Sequence, residues 1–182
     1  MASGSLPEGV PTDFYSRVAA IAKRIGAHLV LDTSGPALKA AIEAGGVFLL
    51  KPNRSELSAL AGKSLATDET LGVAAMDLVE RKRVSMVAVT MGGDGALLAL
   101  PDGTYRLPAL AVEALSSVGA GDSFLGAMVF ALSQGRGDID AFRLGVAAGA
   151  AAVLSEGADL CHPDQVERLL RHVEHPAHKE FA

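Results

Sequence analysis

The sequence predicts an α/β fold: a largely parallel sheet with helices on both faces and antiparallel strands at one edge. Three observations carry this. Short apolar runs, His28-Leu29-Val30-Leu31, Val47-Phe48-Leu49-Leu50 and Val84 to Thr90, alternate with stretches of helical periodicity. Polar residues cluster where those strands stop: Asp32, Lys51 with Asn53, and Thr90. Beyond Thr90, glycine turns replace the helices, so the next strands return as a meander.

Bulk composition sets the frame. A chain of 182 residues supports one sizeable domain, and 49% hydrophobic content gives it a core to bury. The net charge of −5, with cations scattered, argues against a general nucleic-acid surface but leaves room for a local phosphate site. Cys161 is the single cysteine, so an internal disulfide is excluded and a reducing compartment fits. No apolar run reaches membrane-spanning length and no signal pattern opens the chain; the expectation is a cytoplasmic domain without a membrane partner.

In chain order, residues 1–11 read as a polar, turn-rich lead-in. A helix follows, capped by Thr12, with Phe14, Val18, Ile21, Ala22 and Ile25 as its apolar face and Gly26 as its stop. His28 opens the first buried strand. A short helix covers Ala37 to Ala44 before the second strand. Helices then begin at Glu56 and run from Asp68 to Lys82, where Arg81-Lys82-Arg83 complements the helix dipole. After Val84–Thr90, Met91-Gly92-Gly93-Asp94-Gly95 turns into strand Ala96–Leu100, and Pro101-Asp102-Gly103 turns into Thr104–Leu107. Helices are expected from the central glycine turn to Ser133, from Ile139 to Leu154 and from Pro163 to Val173, leaving His175 to Ala182 as a loose tail.

The chain is organised around Ser116-Ser117-Val118-Gly119-Ala120-Gly121-Asp122-Ser123-Phe124. Gly-Ala-Gly at a helix start leaves backbone N–H groups unpaired and aimed outward, and the helix dipole makes that an anion site. Asp122 falls in the first helical turn beside it. Read alone, the same residues are also an ordinary capped helix start. Asn53 and Glu56 have capping-box spacing; the functional alternative is that they orient water around Mg²⁺ near a nucleotide. Thr90 with the Gly92–Gly95 run is either a hairpin connection or bare backbone along which a nucleotide lies. Asp32 is a helix cap or an acid near the metal. Ser3-Gly4-Ser5 is a flexible terminus or a hydroxyl pair receiving a phosphate. His162, His172, His175 and His178 match no zinc spacing and read as solvated.

Together these segments resemble the ribokinase-like carbohydrate kinase family, also called PfkB, and within it the branch of ATP-dependent 6-phosphofructokinases. The 116–124 segment is similar to the family's C-terminal signature, with Ser116 and Ser117 where Asp or Asn, then Thr, usually stand. Asn53-Arg54-Ser55-Glu56 resembles its Asn-x-x-Glu motif. Ala2-Ser3-Gly4-Ser5-Leu6-Pro7 and Asp32-Thr33-Ser34-Gly35 are similar to segments of the sugar-phosphate branch.

The resemblance implies a ribokinase-like three-layer sandwich and phosphorylation of a sugar phosphate by ATP. Fructose 6-phosphate is the expected acceptor, with 1-phosphofructokinase and tagatose-6-phosphate kinase activities as alternatives. It implies Asp122 as the base, and Gly119, Ala120 and Gly121 as the anion hole. Lys51, Asn53, Thr90, Gly92 and Gly95 would serve the nucleotide, and Ser5 with Asp122 the sugar phosphate. Asn53, Glu56 and Asp32 would organise Mg²⁺ through water. A K⁺ site would draw on Ser116, Val118, Ala152, Ser155 and Gly157.

The pattern further implies a preceding half, with most of the sheet, a Gly-Gly sugar-binding segment and a β-sheet lid, that this sequence lacks. Residues 1–182 are thus expected to be the C-terminal portion of such a domain, holding the nucleotide side and the base. Alone it should be weak or inactive, and its exposed sheet edges should invite self-association. A non-catalytic nucleotide-binding fragment is the competing class. A dinucleotide-binding oxidoreductase fits badly, because the Gly-Gly-Asp-Gly run sits in a hairpin region.

Overall fold

The computed structural model describes residues 1–155 and 161–180. In chain order the elements are β1 (Ala2–Ser3), α1 (Phe14–Arg24), β2 (Leu29–Asp32), α2 (Gly35–Ala44), β3 (Val47–Leu50), α3 (Arg54–Ala61), α4 (Asp68–Glu80) and β4 (Val84–Thr90). They continue as β5 (Ala96–Leu100), β6 (Gly103–Leu107), α5 (Ala120–Ser133), α6 (Asp138–Ala152), α7 (Pro163–Leu170) and β7 (Ala177–Lys179). A single 3₁₀ turn, Gly92–Asp94, links β4 to β5. The seven strands form one sheet in sequence order.

The chain divides into two compact units. The first holds Met1–Thr90, Leu97–Tyr105 and the chain end from His178; the second holds Met91–Ala96 and Arg106–Ala177.

In the first unit β1 to β4 are parallel, with Ala2 opposite Leu31, Leu29 opposite Val47, and Val47 opposite Val84. These strands read as continuous apolar runs because they are buried: Leu31, Leu49, Leu50, Val87 and Val89 are all fully enclosed. Helices supply the crossovers that parallel pairing requires. Only the residues Pro101 and Asp102 separate β5 from β6, a link short enough for antiparallel pairing alone.

Three expectations are corrected in this unit. The cap position of α1 is Asp13, not Thr12; its side chain makes no capping bond and instead pairs with Arg17 at 2.9 Å. The buried face of α1 is Tyr15, Ala19 and Ala22, whereas Phe14, Ile21 and Ile25 are exposed. The two alanines are small enough to let the helix approach its neighbours closely, and Tyr15 fixes the rotation by donating its hydroxyl to the Gly4 carbonyl at 2.9 Å. His28 precedes β2 rather than opening it, and it is exposed.

Both chain ends also carry strands that no periodicity announced. Ala2–Ser3 pairs with β2, and Ala177–Lys179 forms β7 beside β6 where a loose tail was expected. His178 stacks on Tyr105, with ring centroids 4.5 Å apart, and Lys179 reaches Glu69 at 3.6 Å.

In the second unit α5 and α6 pack closely. Gly145 and Gly149 of α6 make this possible: a Cβ at 145 would lie 2.7 Å from Met128 Cγ, and one at 149 would lie 3.3 Å from the Ala120 carbonyl oxygen. Phe124 and Phe142 meet edge to face, with centroids 6.2 Å apart. Arg143 holds the chain beyond α7, donating to the carbonyls of Val173 at 2.7 Å and Glu174 at 3.2 Å.

Candidate active site

In the first unit the carboxyl ends of β2, β3 and β4 bring together the residues expected there. Asp32 ends β2, Lys51 follows β3, and Thr90 ends β4. Lys51 is 6% exposed, and its ammonium lies 3.1 Å from Asp32 Oδ2. Asp32 is thus the counter-ion of Lys51, a pairing that spacing alone could not reveal.

Asn53 and Glu56 form the full capping box of α3. Asn53 Oδ1 accepts from the Glu56 N–H at 2.9 Å, and Glu56 Oε2 accepts from the Asn53 N–H at 2.8 Å. The cap uses one polar atom of each side chain. Glu56 Oε1 and the second lone pair of Asn53 Oδ1 remain as acceptors for metal-bound water, and Asn53 Nδ2 remains a donor suited to a phosphate oxygen. One carboxylate plus an amide suits Mg²⁺, which keeps several waters and takes few protein ligands. The donor set therefore fits a water-mediated divalent ion. Among the described residues, no group of three or more His, Cys, Asp or Glu is placed to hold a metal directly. Asn53 also bridges to Thr90, and the Thr90 N–H donates to the Pro52 carbonyl at 3.1 Å.

Ser5 is exposed, just past β1. The loop before it is tied down: the Gly4 N–H donates to the Asp32 carbonyl at 2.9 Å, and the Gly4 carbonyl accepts from Thr33 Oγ1 at 2.9 Å as well as from Tyr15. Thr33 and Tyr15 are supporting residues that spacing did not single out.

In the second unit the glycine turn is a helix start as expected. Gly119 occupies the N-cap position of α5 with φ +78°, a conformation that favours glycine. The Ser123 N–H donates to the Gly119 carbonyl at 2.8 Å, the first bond of the helix. The N–H groups of Ala120 and Gly121 precede it and belong to the unpaired set at a helix start. Asp122 lies in that first turn. Dipole, N–H groups and carboxylate therefore occupy one helix end.

The loop before α5 is pinned to the end of α6. The Leu115 and Ser116 N–H groups both donate to the Val153 carbonyl, at 2.8 and 3.3 Å, and the Val118 N–H donates to Ser116 Oγ at 3.2 Å. This brings Ser116 and Val118 together with the segment carrying Ala152 and Ser155. Gly157 lies outside the described residues.

The Gly92–Gly95 turn has a structural explanation at one of its two expected positions. At Gly95, φ is +96° and a Cβ would lie 2.3 Å from the Leu107 carbonyl oxygen and 2.5 Å from the Ala109 nitrogen, so only glycine fits. Gly92, with φ +56°, has open space around it. Arg106, which no motif flagged, laces the turn: its guanidinium donates to the carbonyls of Asp94, Ala96 and Leu107.

The pfkB family carbohydrate kinase model matches residues 1–165. The chain belongs to the pfkB family of carbohydrate kinases. It is 44% identical over 168 residues to the ATP-dependent 6-phosphofructokinase isozyme 2 of Mycobacterium tuberculosis, covering 92% of this chain and 49% of that protein. It is 37% identical to the 1-phosphofructokinase of Bacillus subtilis, covering 94% and 55% respectively. Among solved structures it resembles phosphofructokinase-2 from Escherichia coli in complex with potassium, with a TM-score of 0.89 at 36% identity, covering 93% of this chain and 55% of that one. The expected ribokinase-like α/β fold, built on a mixed seven-stranded sheet, is thereby confirmed. The chain spans about half the length of the curated relatives it matches.

Proposed function

We propose that this pfkB-family chain carries the nucleotide side and the catalytic base of a sugar-phosphate kinase. Fructose 6-phosphate is the acceptor we favour, to be converted to fructose 1,6-bisphosphate, with 1-phosphofructokinase and tagatose-6-phosphate kinase activity as the neighbouring alternatives. The observation that carries the reading is the start of α5: a carboxylate within one turn of a helix N-terminus whose leading N–H groups have no helical partner.

Phosphoryl transfer needs charge neutralisation and positioning more than covalent help. The N–H groups of Ala120 and Gly121 hold the oxygens of the transferring phosphoryl. Asp122 accepts the proton of the attacking sugar hydroxyl. Lys51, oriented by Asp32, supplies a fixed positive charge toward the nucleotide phosphates, and Gly92 and Thr90 line the nucleotide. Mg²⁺, held through water by Asn53 and Glu56, would neutralise phosphate charge. Ser5 takes the phosphate that the sugar already carries. The K⁺ site is read onto Ser116, Val118, Ala152 and Ser155, supported by the closure of this loop on Val153 and by the potassium complex of the Escherichia coli relative.

The test is ADP release from Mg-ATP with each candidate sugar phosphate, beside direct ATP binding, for the chain and for Asp122→Asn. ATP binding with weak or no turnover is expected of the chain by itself. Any sugar-dependent release should fall by roughly 10²–10⁴-fold in Asp122→Asn. Undiminished release in the variant would remove Asp122 from its role. Absence of ATP binding would sink the whole reading. A second reading is a nucleotide-binding module without catalysis, since the residues brought together in the first unit, Lys51, Asn53 and Thr90, are all on the nucleotide side of the proposed site. Binding without sugar-dependent release, even at high enzyme concentration, would select it.

A further inference from the structure

The first unit carries a cleft at the ends of β2, β3 and β4 opposite to Asp32, Lys51 and Thr90. It has a volume of about 410 Å³ and lies where the chain enters β2, β3 and β4, with His28, Phe48, Lys82, Arg83 and Ser85 on its walls. Strands of four to seven residues separate it from Asp32, Lys51 and Thr90, a distance of roughly 10–20 Å along the sheet. Its size falls within the range of small-molecule sites.

The chemistry of the walls is one-sided. Among the described residues no carboxylate lines the cleft, while two cations and an imidazole do. One cation is engaged in holding the fold, since Arg83 Nη1 donates to the Glu43 carbonyl at 2.6 Å and so caps the end of α2. Lys82 carries no such bond. It stands just past α4 with φ +54°, the only non-glycine residue at positive φ among the described residues. Its N–H donates to the Val79 carbonyl at 2.8 Å, and the next N–H, of Arg83, donates to Leu78 at 3.1 Å. This is the helix-ending turn in which glycine is the least strained choice. A lysine there costs backbone strain and places a cation on an acid-free cleft, and residues held in such conformations cluster at ligand sites.

The other wall is aromatic. His28 and Phe48 pack against each other as a tilted pair, with centroids 4.3 Å apart and planes at 37°. The imidazole is exposed and the phenyl half-buried, so the pair presents a ring surface to the cleft beside the cations.

We propose that this cleft binds a small anion bearing a planar ring, of the class of a nucleoside monophosphate, at a site separate from the strand ends that carry Asp32, Lys51 and Thr90. The ring lies against His28 and Phe48; the anionic group takes Lys82, the remaining donors of Arg83 and the Ser85 hydroxyl. The proposal does not depend on the kinase reading, since none of these residues enters it.

The test is an amide-resolved NMR titration of the full chain with AMP and, separately, with inorganic phosphate. AMP should move the signals of residues 27–28, 46–48 and 82–85 and bind more tightly than phosphate. Lys82→Gln should weaken AMP binding about tenfold, as loss of a charge-assisted contact does. Lys82→Gly should weaken it equally while raising the melting temperature, which separates lost binding from lost folding. Shifts confined to residues 51–56, 90–95 and 116–122, AMP no tighter than phosphate, or full affinity in both Lys82 variants would each overturn the proposal. Failure of ATP binding by Asn53 or Asp122 variants, by contrast, bears only on the kinase reading.

Discussion

Replacing Asp32 with Asn should destabilise the first unit far more than a surface change would. The Lys51 and Asp32 side chains are only 7% and 17% exposed and lie 3.1 Å apart. At that separation, with an effective dielectric constant of about 20, their gross attraction is roughly 5 kcal/mol. Desolvation offsets most of this while both partners are present. It becomes visible when one is removed, because stranding a buried charge costs about 3–5 kcal/mol. The partial exposure of Asp32 lets water reach the orphaned ammonium, so a loss of about 2–4 kcal/mol is expected for Asp32→Asn, and a similar loss for Lys51→Met. The double variant removes both charges and should recover at least about 1.5 kcal/mol relative to the sum of the singles. Urea denaturation followed by circular dichroism measures all four proteins, and an unchanged slope shows that only stability has moved. If Asp32→Asn costs less than about 0.5 kcal/mol, or if the singles simply add, the two residues do not form a buried couple.

Two glycines at positive φ should respond differently to alanine. Gly95→Ala drives a Cβ to 2.3 Å from a carbonyl oxygen and should cost more than about 3 kcal/mol, whereas Gly119→Ala has open space and should cost only about 1 kcal/mol by thermal melting. Glu56→Gln keeps a capping-box side chain and should change stability by less than about 1 kcal/mol, yet raise the Mg²⁺ concentration needed for ATP binding about tenfold by calorimetry. Tyr105 donates its hydroxyl to Asp102 Oδ2 at 2.6 Å, and this bond, aided by burial and by the charges of Asp102 and Glu180, pushes the phenol up to about 12. The folded protein then holds that proton more tightly than the unfolded chain does. The stabilisation is complete below pH 10 and is lost as pH rises through 10 to 12. Melting temperatures across that range should fall less steeply in Tyr105→Phe. Ultraviolet titration of Tyr15→Phe, which leaves Tyr105 as the single tyrosine, reads the phenol directly.

What could be read from the sequence follows the length of each physical signal. The buried strands were legible because runs of three to five consecutive apolar residues have no other favourable location. The starts of α3 and α5 were legible because capping and glycine chemistry leave residue-specific marks. β1 and β7 were not: strands of two or three residues have no period to detect, and a partner strand holds them. The rotation of α1 was missed for a different reason. Both of its candidate faces are apolar, and the choice was made by Tyr15 reaching the Gly4 carbonyl, a bond across eleven positions that no local pattern encodes. The Lys51–Asp32 pair and the Arg106 lacing are likewise products of topology. Parallel strands bring residues nineteen positions apart to one sheet end, and a hairpin folds Arg106 back over the turn twelve residues before it.

The two readings of Asn53 and Glu56, cap or ligand holder, need not compete. A capping box fixes the rotamers of both side chains by one hydrogen bond each, and this orients the acceptor lone pairs left over. A water-mediated ion needs just such preset donors, because flexible ones would lose entropy on ordering. Asp32 and Lys51 follow the same logic: the carboxylate that pairs with the ammonium at 3.1 Å also keeps it in place. Gly119 extends it to the backbone, since its φ of +78° ends the loop and starts α5 at the same residue. A residue explained by structure is therefore not removed from the site. Under the proposed function the local bond is the means by which the group is held ready, and variants such as Glu56→Gln, which keep the local bond and remove only the charge, are the ones that separate the two contributions.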